Sequence, residues 1–447
     1  MHFDEARLAD VLARDVPGPE QAQYCVAFSG GCDSAVLLRA MATLVSTWPA
    51  AHLRAVHVDH GLDDDSRGWA AHCADFARQC AVDFEDYRVE VTAIHDQGVE
   101  AAARGARYKL LRERLRPGEV LLTAHHADDQ LETFLLQLMR GAGIAGLSAM
   151  PAIRAFGAGL HVRPLLEFER RQLVDYGRTQ ALTWLDDPSN LNLRFDRNLL
   201  RHEVVPQLRS RWPAAAVAVT RSAAHCAEAL ELCDQLAAAD VGHVGDSDSL
   251  ECTVLSRLSP ARLRNALRWW IRRNGRPAPS SARLGSIVGD ILGASPDATP
   301  VVTWGGTEIR RYRDRIYIMT PLGQLAAAPM PWTVPEELSL GAGRGNLGAE
   351  PSQGQGLAVA RLEKSRVTVV SRTGGERLTP KGHRQSKQLK KLFQEQGVLP
   401  WMRERVPLVY VNGELAAVAD ICVAQEFSAR RGEPGFRIIW RDHPRLK

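Results

Sequence analysis

The chain has 447 residues, 45% hydrophobic and 24% charged, with a formal net charge of +4, as expected of a soluble globular protein with two or three cored domains. No apolar run reaches the length of a membrane span. The start, Met1-His2-Phe3-Asp4-Glu5, lacks the basic and apolar regions of a signal peptide, so neither membrane insertion nor export is expected, and the chain should stay in the cytoplasm. In chain order, the first two hundred residues alternate short β runs with helical patterns. Strands are expected at 23–28, 53–58, 84–91 and 119–124, and helices at 34–47, 68–80, 99–115 and 128–140. That alternation predicts an α/β fold, a doubly wound and largely parallel sheet, with ligands outside the carboxyl ends of the strands.

From about residue 203 the pattern becomes helical. An alanine-rich stretch over 214–239 is long enough for a multi-turn helix, and a basic helix follows around Ala261–Arg273, carrying Trp269-Trp270. Next comes an expected hairpin, Val301–Trp304 and Arg310–Met319, turning at Gly305-Gly306. The six glycines between Gly341 and Gly356 read as a linker, and a small α+β unit with strands near 366–371, 407–411 and 415–421 follows it. The expected domains are therefore 1–205 (α/β), 206–325 (mainly helical) and 326–447 (linker plus terminal α+β unit).

The segment Ser29-Gly30-Gly31-Cys32-Asp33-Ser34 lies between the first strand and the first helix of that alternation. Two adjacent glycines let backbone N–H groups approach phosphate oxygens, and a helix N-terminus adds donors and the positive end of a dipole. Ser29 and Ser34 supply hydroxyl donors, and Asp33 can hold a Mg²⁺ that neutralises the phosphates. The loop lacks the Gly-Lys-Ser/Thr ending of a kinase-type P-loop, so it reads as a pyrophosphate-holding loop of another kind. The plain alternative is an ordinary glycine turn with a serine cap.

Two further strand ends converge on the same edge. The second strand ends at His57-Val58-Asp59-His60-Gly61, where His57 and His60 are expected to line the site. The fourth ends at Thr123-Ala124-His125-His126-Ala127-Asp128-Asp129 and leads into a helix carrying Glu132. Asp129 and Glu132 stand one helical turn apart and can hold an ammonium; with His125 nearby, one of these carboxylates can accept a proton from an attacking amine. The alternative for the acids is helix capping and dipole compensation, a duty that Asp128 is better placed to take. Glu100, Arg104 and Arg107 share one helix face, where the arginines can grip phosphates or an activated base bidentately; otherwise they form a solvated ion-pair face. Arg194, Arg197 and Arg201 make a basic cluster after the Asp186-Asp187-Pro188 turn. That cluster faces a substrate or caps the junction to the next domain.

Charge is unevenly distributed. Residues 1–200 carry a net −7 and residues 201–447 a net +11, as a catalytic domain joined to a polyanion-binding part would. Between Cys252 and Gly289 there are eight arginines and no acid, Arg268, Arg272 and Arg273 among them. The whole chain has only seven lysines, and Lys381, Lys387, Lys390 and Lys391 fall within eleven residues, which suggests mobile point charges for phosphate contacts. The eight cysteines include no C-x-x-C, and small buried apolar residues are the expected reading.

These residues, in this order, resemble the tRNA(Ile)-lysidine synthase family. The marks are Ser29–Ser34, His57–Gly61, Val99–Tyr108, His125–Thr133, Arg140-Gly141, Arg163–Leu166, Asp187–Asn190 through Arg197-Asn198, Arg372–Glu376 and Leu389–Phe393. The loop alone marks only the wider class of ATP pyrophosphatases; the helix and the His-His segment narrow it. Cys32 departs from the larger apolar residue more usual at its position. The resemblance implies ATP and Mg²⁺ as cofactors, an isoleucine tRNA with a CAU anticodon and free L-lysine as partners, and chemistry in two steps. ATP adenylates the C2 oxygen of the wobble cytidine, and the lysine ε-amine then displaces AMP to give lysidine. It also places Arg194, Arg197 and Arg201 against substrate and the rear basic residues against RNA. It leaves the oligomeric state open, a homodimer included. The rival readings are a cytidine thiolase, which the missing C-x-x-C disfavours, an amide-forming enzyme acting on a small metabolite, and an RNA-binding protein with a relic ATP fold.

Overall fold

The apolar run after Gln23 becomes a central strand because both of its faces find cover. In β1 (Gln23–Ala27), Tyr24 and Val26 enter one core and Cys25 the other. The same alternation splits β2 (His52–Asp59) between Ala55 on one side and Val56 with Val58 on the other. A strand buried on both faces belongs inside a parallel sheet wound by helices. The computed structural model describes residues 2–59, 66–89, 99–187, 192–242, 248–295, 298–323, 325, 328–341 and 343–446, without the side chains at 66–67 and 99–101. His60, Gly61 and the Glu100 side chain lie outside that set.

The sheet runs β3-β2-β1-β4-β6-β5, with β3 at Asp83–Arg88, β4 at Val120–Leu122, β5 at Ile153–Phe156 and β6 at Gly159–Val162. All neighbours are parallel except the edge hairpin of β5 and β6. One face carries α1 (Glu5–Asp15), α2 (Cys32–Thr47) and α3 (Ser66–Gln79); the other carries α4 (Val99–Arg114), through Leu111. Helix α2 is enclosed, with Ala35, Val36, Leu37, Leu38, Ala40 and Met41 all at 0% exposure. Beyond β4 come α5 (Ala127–Met139), α6 (Arg170–Thr179) and a helical run of α7 (Asp196–Leu199), a π-turn over Leu200–Val204 and α8 (Val205–Arg211). The chain leaves β1 toward β2 and later crosses back to β4. The crevice at the carboxyl ends of β1 and β4 is therefore the switch point where such sheets bind ligands.

The opposite end of the sheet is tied by charge. Arg54 donates from Nε and Nη2 to the two oxygens of Glu119, at 2.6 and 2.7 Å, and from Nη1 to Glu85 at 3.0 Å. It also donates to the Arg114 carbonyl. Both side chains of the Arg54–Glu119 pair are almost completely buried.

The chain divides into two compact units, Met1–Cys233 and Asp234–Lys447, and the boundary falls inside α9 (Ala215–Val241). In the second unit, α10 (Pro260–Arg273) packs Trp270 and Ile271 against an antiparallel sheet. That sheet adds Ser249–Glu251 to Val301–Trp304, Thr307–Tyr312 and Arg315–Met319. The expected long second hairpin strand is thus two strands, broken where Arg313 takes φ 55°.

The expected linker is also corrected. Residues Asn346–Gln353 form a strand that pairs along its whole length with Pro434–Arg441. Leu357–Ala358 pairs with that same strand. At Gly356, which has φ 73°, a Cβ would stand 1.9 Å from the Phe436 carbonyl oxygen, so the glycine serves close strand packing and not flexibility.

Glu119→Ala strands Arg54 as a buried, half-paired cation and should lower the stability of the first unit by about 3–5 kcal/mol. The double change Arg54→Met with Glu119→Leu should recover most of that loss. Urea unfolding of the three proteins checks both; a near-neutral Glu119→Ala would show that Glu85 alone satisfies Arg54.

Candidate active site

Because the cap residue of α2 is Gly31, the first N–H groups of that helix have no side-chain capping partner among the described residues. Before it, Gly30 has φ 82° and passes its carbonyl to the Leu185 N–H at 2.9 Å. Ser34 Oγ donates to the Gly31 carbonyl at 2.9 Å; its one proton is then used, so Ser29 Oγ donates to Ser34 Oγ across 3.0 Å. These hydroxyls fix the loop around a cavity of about 160 Å³ whose walls include Ser29, Gly31, Asp33, Ser34, Arg107 and His125. Asp33 Oδ1 is buried and accepts no hydrogen bond among the described residues; Arg170 Nε stands 3.8 Å from it. A carboxylate oxygen left in that state at a phosphate-type loop fits a hard divalent cation that completes its shell with phosphate oxygens.

Cys32 is buried at the start of α2, and burial pushes its thiol up to about 12. Only its backbone can serve the loop. His57 does not line the cavity: its Nδ1 lies 2.9 Å from the Phe28 carbonyl and 3.6 Å from Cys73 Sγ, deep behind the loop. The expected cofactor contact of His57 is therefore corrected to a brace on the strand that carries the loop.

Beside the loop, carboxylates and guanidinium groups are matched. Arg197 donates to Glu132 at 2.7 Å and to Asp129 at 2.9 Å; Arg201 donates to Glu132 at 2.7 Å and to Asp129 at 3.1 Å. The basic cluster thus meets the acid pair, although 65 or more residues separate them in the chain. Arg194 does not join and is exposed. Asp129 Oδ2 accepts the His126 N–H at 3.0 Å, which caps α5. Asp128, expected as the cap, instead accepts the Arg170 N–H at 2.8 Å and pairs with Arg209. The physical reason is position: α5 begins at Ala127, whose N–H is taken by the Phe168 carbonyl, so Asp128 already sits inside the first turn.

Two adjacent histidines face opposite fields. Burial disfavours charge on His126, but Asp129, Asp33 and Asp128 outweigh it and raise its pKa to about 9. The 3.4 Å approach of the Asp129 N–H to His126 Nδ1 is a hydrogen bond only for the neutral ring. Burial pushes His125 down to about 3, aided by Arg163, Arg104 and Arg197 and opposed by Asp129. Burial, His126 and Arg197 act on Asp129 together, and its carboxyl ends below the usual range.

On the far wall Arg104, Arg107 and Arg154 stand over the Tyr108 ring at 5.6, 5.4 and 5.8 Å. No ion pair with a carboxylate is made by Arg104, Arg107, Arg154 or Arg163 among the described residues. The ion-pair reading of the α4 face turns on the Glu100 side chain, which lies outside the described residues; the arginines themselves stack on Tyr108. Tyr108, Arg154, His161 and Arg163 carried no site expectation of their own in the sequence. Arg154 and His161 come from the edge hairpin, whose strand pattern is weak.

A glycine-turned phosphate loop at the switch point of a parallel sheet defines a PP-loop domain, and the family model of that description matches residues 3–208. Two more match further along: the TilS substrate binding domain at 250–317 and the TilS substrate C-terminal domain at 367–440. Curated tRNA(Ile)-lysidine synthases are similar over nearly the whole length. That of Coxiella burnetii is 42% identical over 93% of this chain and 92% of its own; that of Alkalilimnicola ehrlichii is 43% identical over 97% of each. The chain belongs to the tRNA(Ile)-lysidine synthase family.

Gly30→Ala would put a Cβ 2.8 Å from Cys73 Sγ in a left-handed conformation that costs a non-glycine residue about 1–2 kcal/mol. Its ATP affinity should fall at least tenfold. Adding Cys73→Ala relieves the clash but not the backbone, so calorimetry should show only partial recovery; full recovery would locate the whole effect in the sulfur contact.

Proposed function

We propose that this chain is an ATP-dependent carbon–nitrogen ligase that adenylates the C2 oxygen of the wobble cytidine in an isoleucine tRNA with a CAU anticodon. It then lets the ε-amine of free lysine displace AMP, giving lysidine in the cytoplasm. The observation that carries the reading is the meeting, at one strand edge, of a helix N-terminus without a side-chain cap, an Asp33 oxygen without a hydrogen bond and arginines over Tyr108 without a carboxylate partner, all among the described residues.

In the first step the cytidine oxygen attacks the α-phosphorus of ATP and pyrophosphate leaves. The loop N–H groups and the Ser29 and Ser34 hydroxyls are placed to take the charge that builds on the leaving group. Asp33 would hold Mg²⁺, which supplies neutralisation of the phosphates when bound. Arg107 and Arg104 are placed to bind the anionic adenylate. In the second step the amine adds at C2, the C2–oxygen bond to AMP breaks and the amine loses a proton. Asp129 and Glu132 already carry Arg197 and Arg201, so a lysine ammonium bound there shares the carboxylates with a guanidinium or displaces one. Arg201 is the more exposed of the two, 28% against 20%.

The tRNA surface is assigned to exposed charges of the second unit. Arg268 is exposed on α10, whereas Arg272 pairs with Asp234 and Arg273 stands over Trp269 at 5.3 Å. Lys390 and Lys391 are exposed, but Lys387 is bound to Glu395 at 2.9 Å. Lys381 donates to the Gly354 and Ala429 carbonyls at 2.8 and 2.9 Å, so it works as a structural tie and not as a mobile charge.

The test is incubation of a CAU-anticodon isoleucine tRNA transcript with ATP and labelled lysine. Asp33→Asn should remove tRNA-dependent ATP–pyrophosphate exchange while keeping the fold; near-normal exchange would sink the loop assignment. Glu132→Gln should raise the lysine KM about tenfold and the ATP KM far less, with adenylated tRNA accumulating. An equal rise in both would assign the carboxylates to ATP. Lys390→Glu with Lys391→Glu should flatten the salt dependence of tRNA binding by about 0.7–0.9 log units per lost contact. An unchanged slope would move the RNA surface to Arg268 and its neighbours.

A further inference from the structure

Behind the cavity, a line of hydrogen bonds runs from two arginines to His125, and each link has only one polarity open to it. Arg154 Nε and Arg163 Nη2 lie 3.3 and 3.4 Å from His161 Nδ1. Guanidinium groups only donate, so Nδ1 must be the lone-pair nitrogen of His161 and its proton must sit on Nε2. That Nε2 lies 2.9 Å from Thr123 Oγ1 and therefore donates to it. The Thr123 hydroxyl is buried, and its own hydrogen has one remaining acceptor among its bonds, His125 Nδ1 at 2.8 Å. His125 Nδ1 is thus also a lone-pair nitrogen. The proton of its neutral ring is on Nε2, which has no partner among the described residues, and His125 itself is a cavity wall.

The groups facing the two rings agree with this direction. Burial, with Arg163 and Arg154, pushes His161 down to about 2, as burial and the arginines push His125 to about 3. Neither ring takes a second proton at neutral pH, and the arginines supply the asymmetry that selects one tautomer.

We propose that Arg154 and Arg163, acting through His161 and Thr123, lock His125 as the neutral Nε2–H tautomer, so that His125 serves adenylation as a hydrogen-bond donor to a substrate oxygen and not as a general base. The oxygen is an anionic one, because Arg107 lines the cavity beside His125 and Arg104 stands over Tyr108 of the same lining. Thr123, His161 and Arg163 are positioning residues, and His125, expected as a catalytic residue, acts by donation. The adenylation role rests on the function proposed above; the tautomer does not.

The experiment is a ¹⁵N spectrum of the full-length protein labelled at histidine, with His125 and His161 assigned by their loss in His125→Gln and His161→Gln. Both rings should show a bare Nδ1 and a protonated Nε2 at pH 7. A protonated Nδ1, an imidazolium or an averaged pair of shifts at His125 would overturn the proposal whatever the activity. Thr123→Val should average the His125 shifts and lower the kcat of tRNA-dependent ATP–pyrophosphate exchange about 10–100-fold, with the ATP KM within about twofold. Thr123→Ser should restore both. His125→Gln, which keeps a donor, should retain more exchange than His125→Ala; equal loss in the two would overturn donation. If Thr123→Val fails to fold, the wild-type spectrum and the His125 pair still decide. Absence of exchange in the wild type would sink the function while leaving the tautomer result standing.

Discussion

The Asp129 carboxylate is the constraint on which the site depends. One oxygen takes Arg197 and Arg201; the other takes the His126 N–H at the head of α5. His126 in turn lies 3.5 Å from Asp33 at the head of α2. One buried charge therefore joins the phosphate loop, the fourth strand end and the helical run after residue 196. Such a carboxylate is tolerable in the interior only because each of its lone-pair directions is answered by a cation or an N–H. Removing it leaves two guanidinium groups held by Glu132 alone and releases the capping N–H.

Charge is sorted across the crevice. On one side Asp33, Asp128, Asp129 and Glu132 face Arg170, Arg197, Arg201, Arg209 and His126. On the other, Arg104, Arg107, Arg154 and Arg163 gather about Tyr108 and His161 and make no ion pair with a carboxylate among the described residues. The division passes between His125 and His126, whose pKa values are driven apart to about 3 and about 9. Two identical side chains, adjacent in the chain, hold opposite charge states because the strand end sends them into opposite fields.

Much of this was legible in the sequence where the signal is local. The alternation of apolar runs placed the four parallel strands and their helices to within a few residues, and the glycine pair marked the loop because phosphate loops need bare backbone. Signals that depend on distant partners were not legible. Helical spacing put Asp129 and Glu132 on one face, but nothing in it names Arg197 and Arg201 as their counter-ions. The glycines of 341–356 read as a linker because the strand they crowd against, Pro434–Arg441, arrives some eighty residues later. The lysine cluster illustrates the same limit. Composition counts Lys381 with Lys390, yet two backbone carbonyls tie the first down and leave the second in water.

The arginine wall bears on both steps of the proposed chemistry. Adenylation gathers anions, and a field set by arginines that cannot lose their protons stabilises them without any reorganisation. The second step needs a free amine, and a base placed on that wall would be of little use, since the field that keeps His125 and His161 neutral would also suppress proton uptake by any other group there. The same field disfavours an ammonium relative to an amine. A lysine that reaches the arginine wall from the carboxylate side therefore moves from surroundings that hold its proton to surroundings that favour its loss. In the proposed reaction the sorted charge would make the change from bound cation to nucleophile depend on position along the crevice, with the proton left to water or to the carboxylate side.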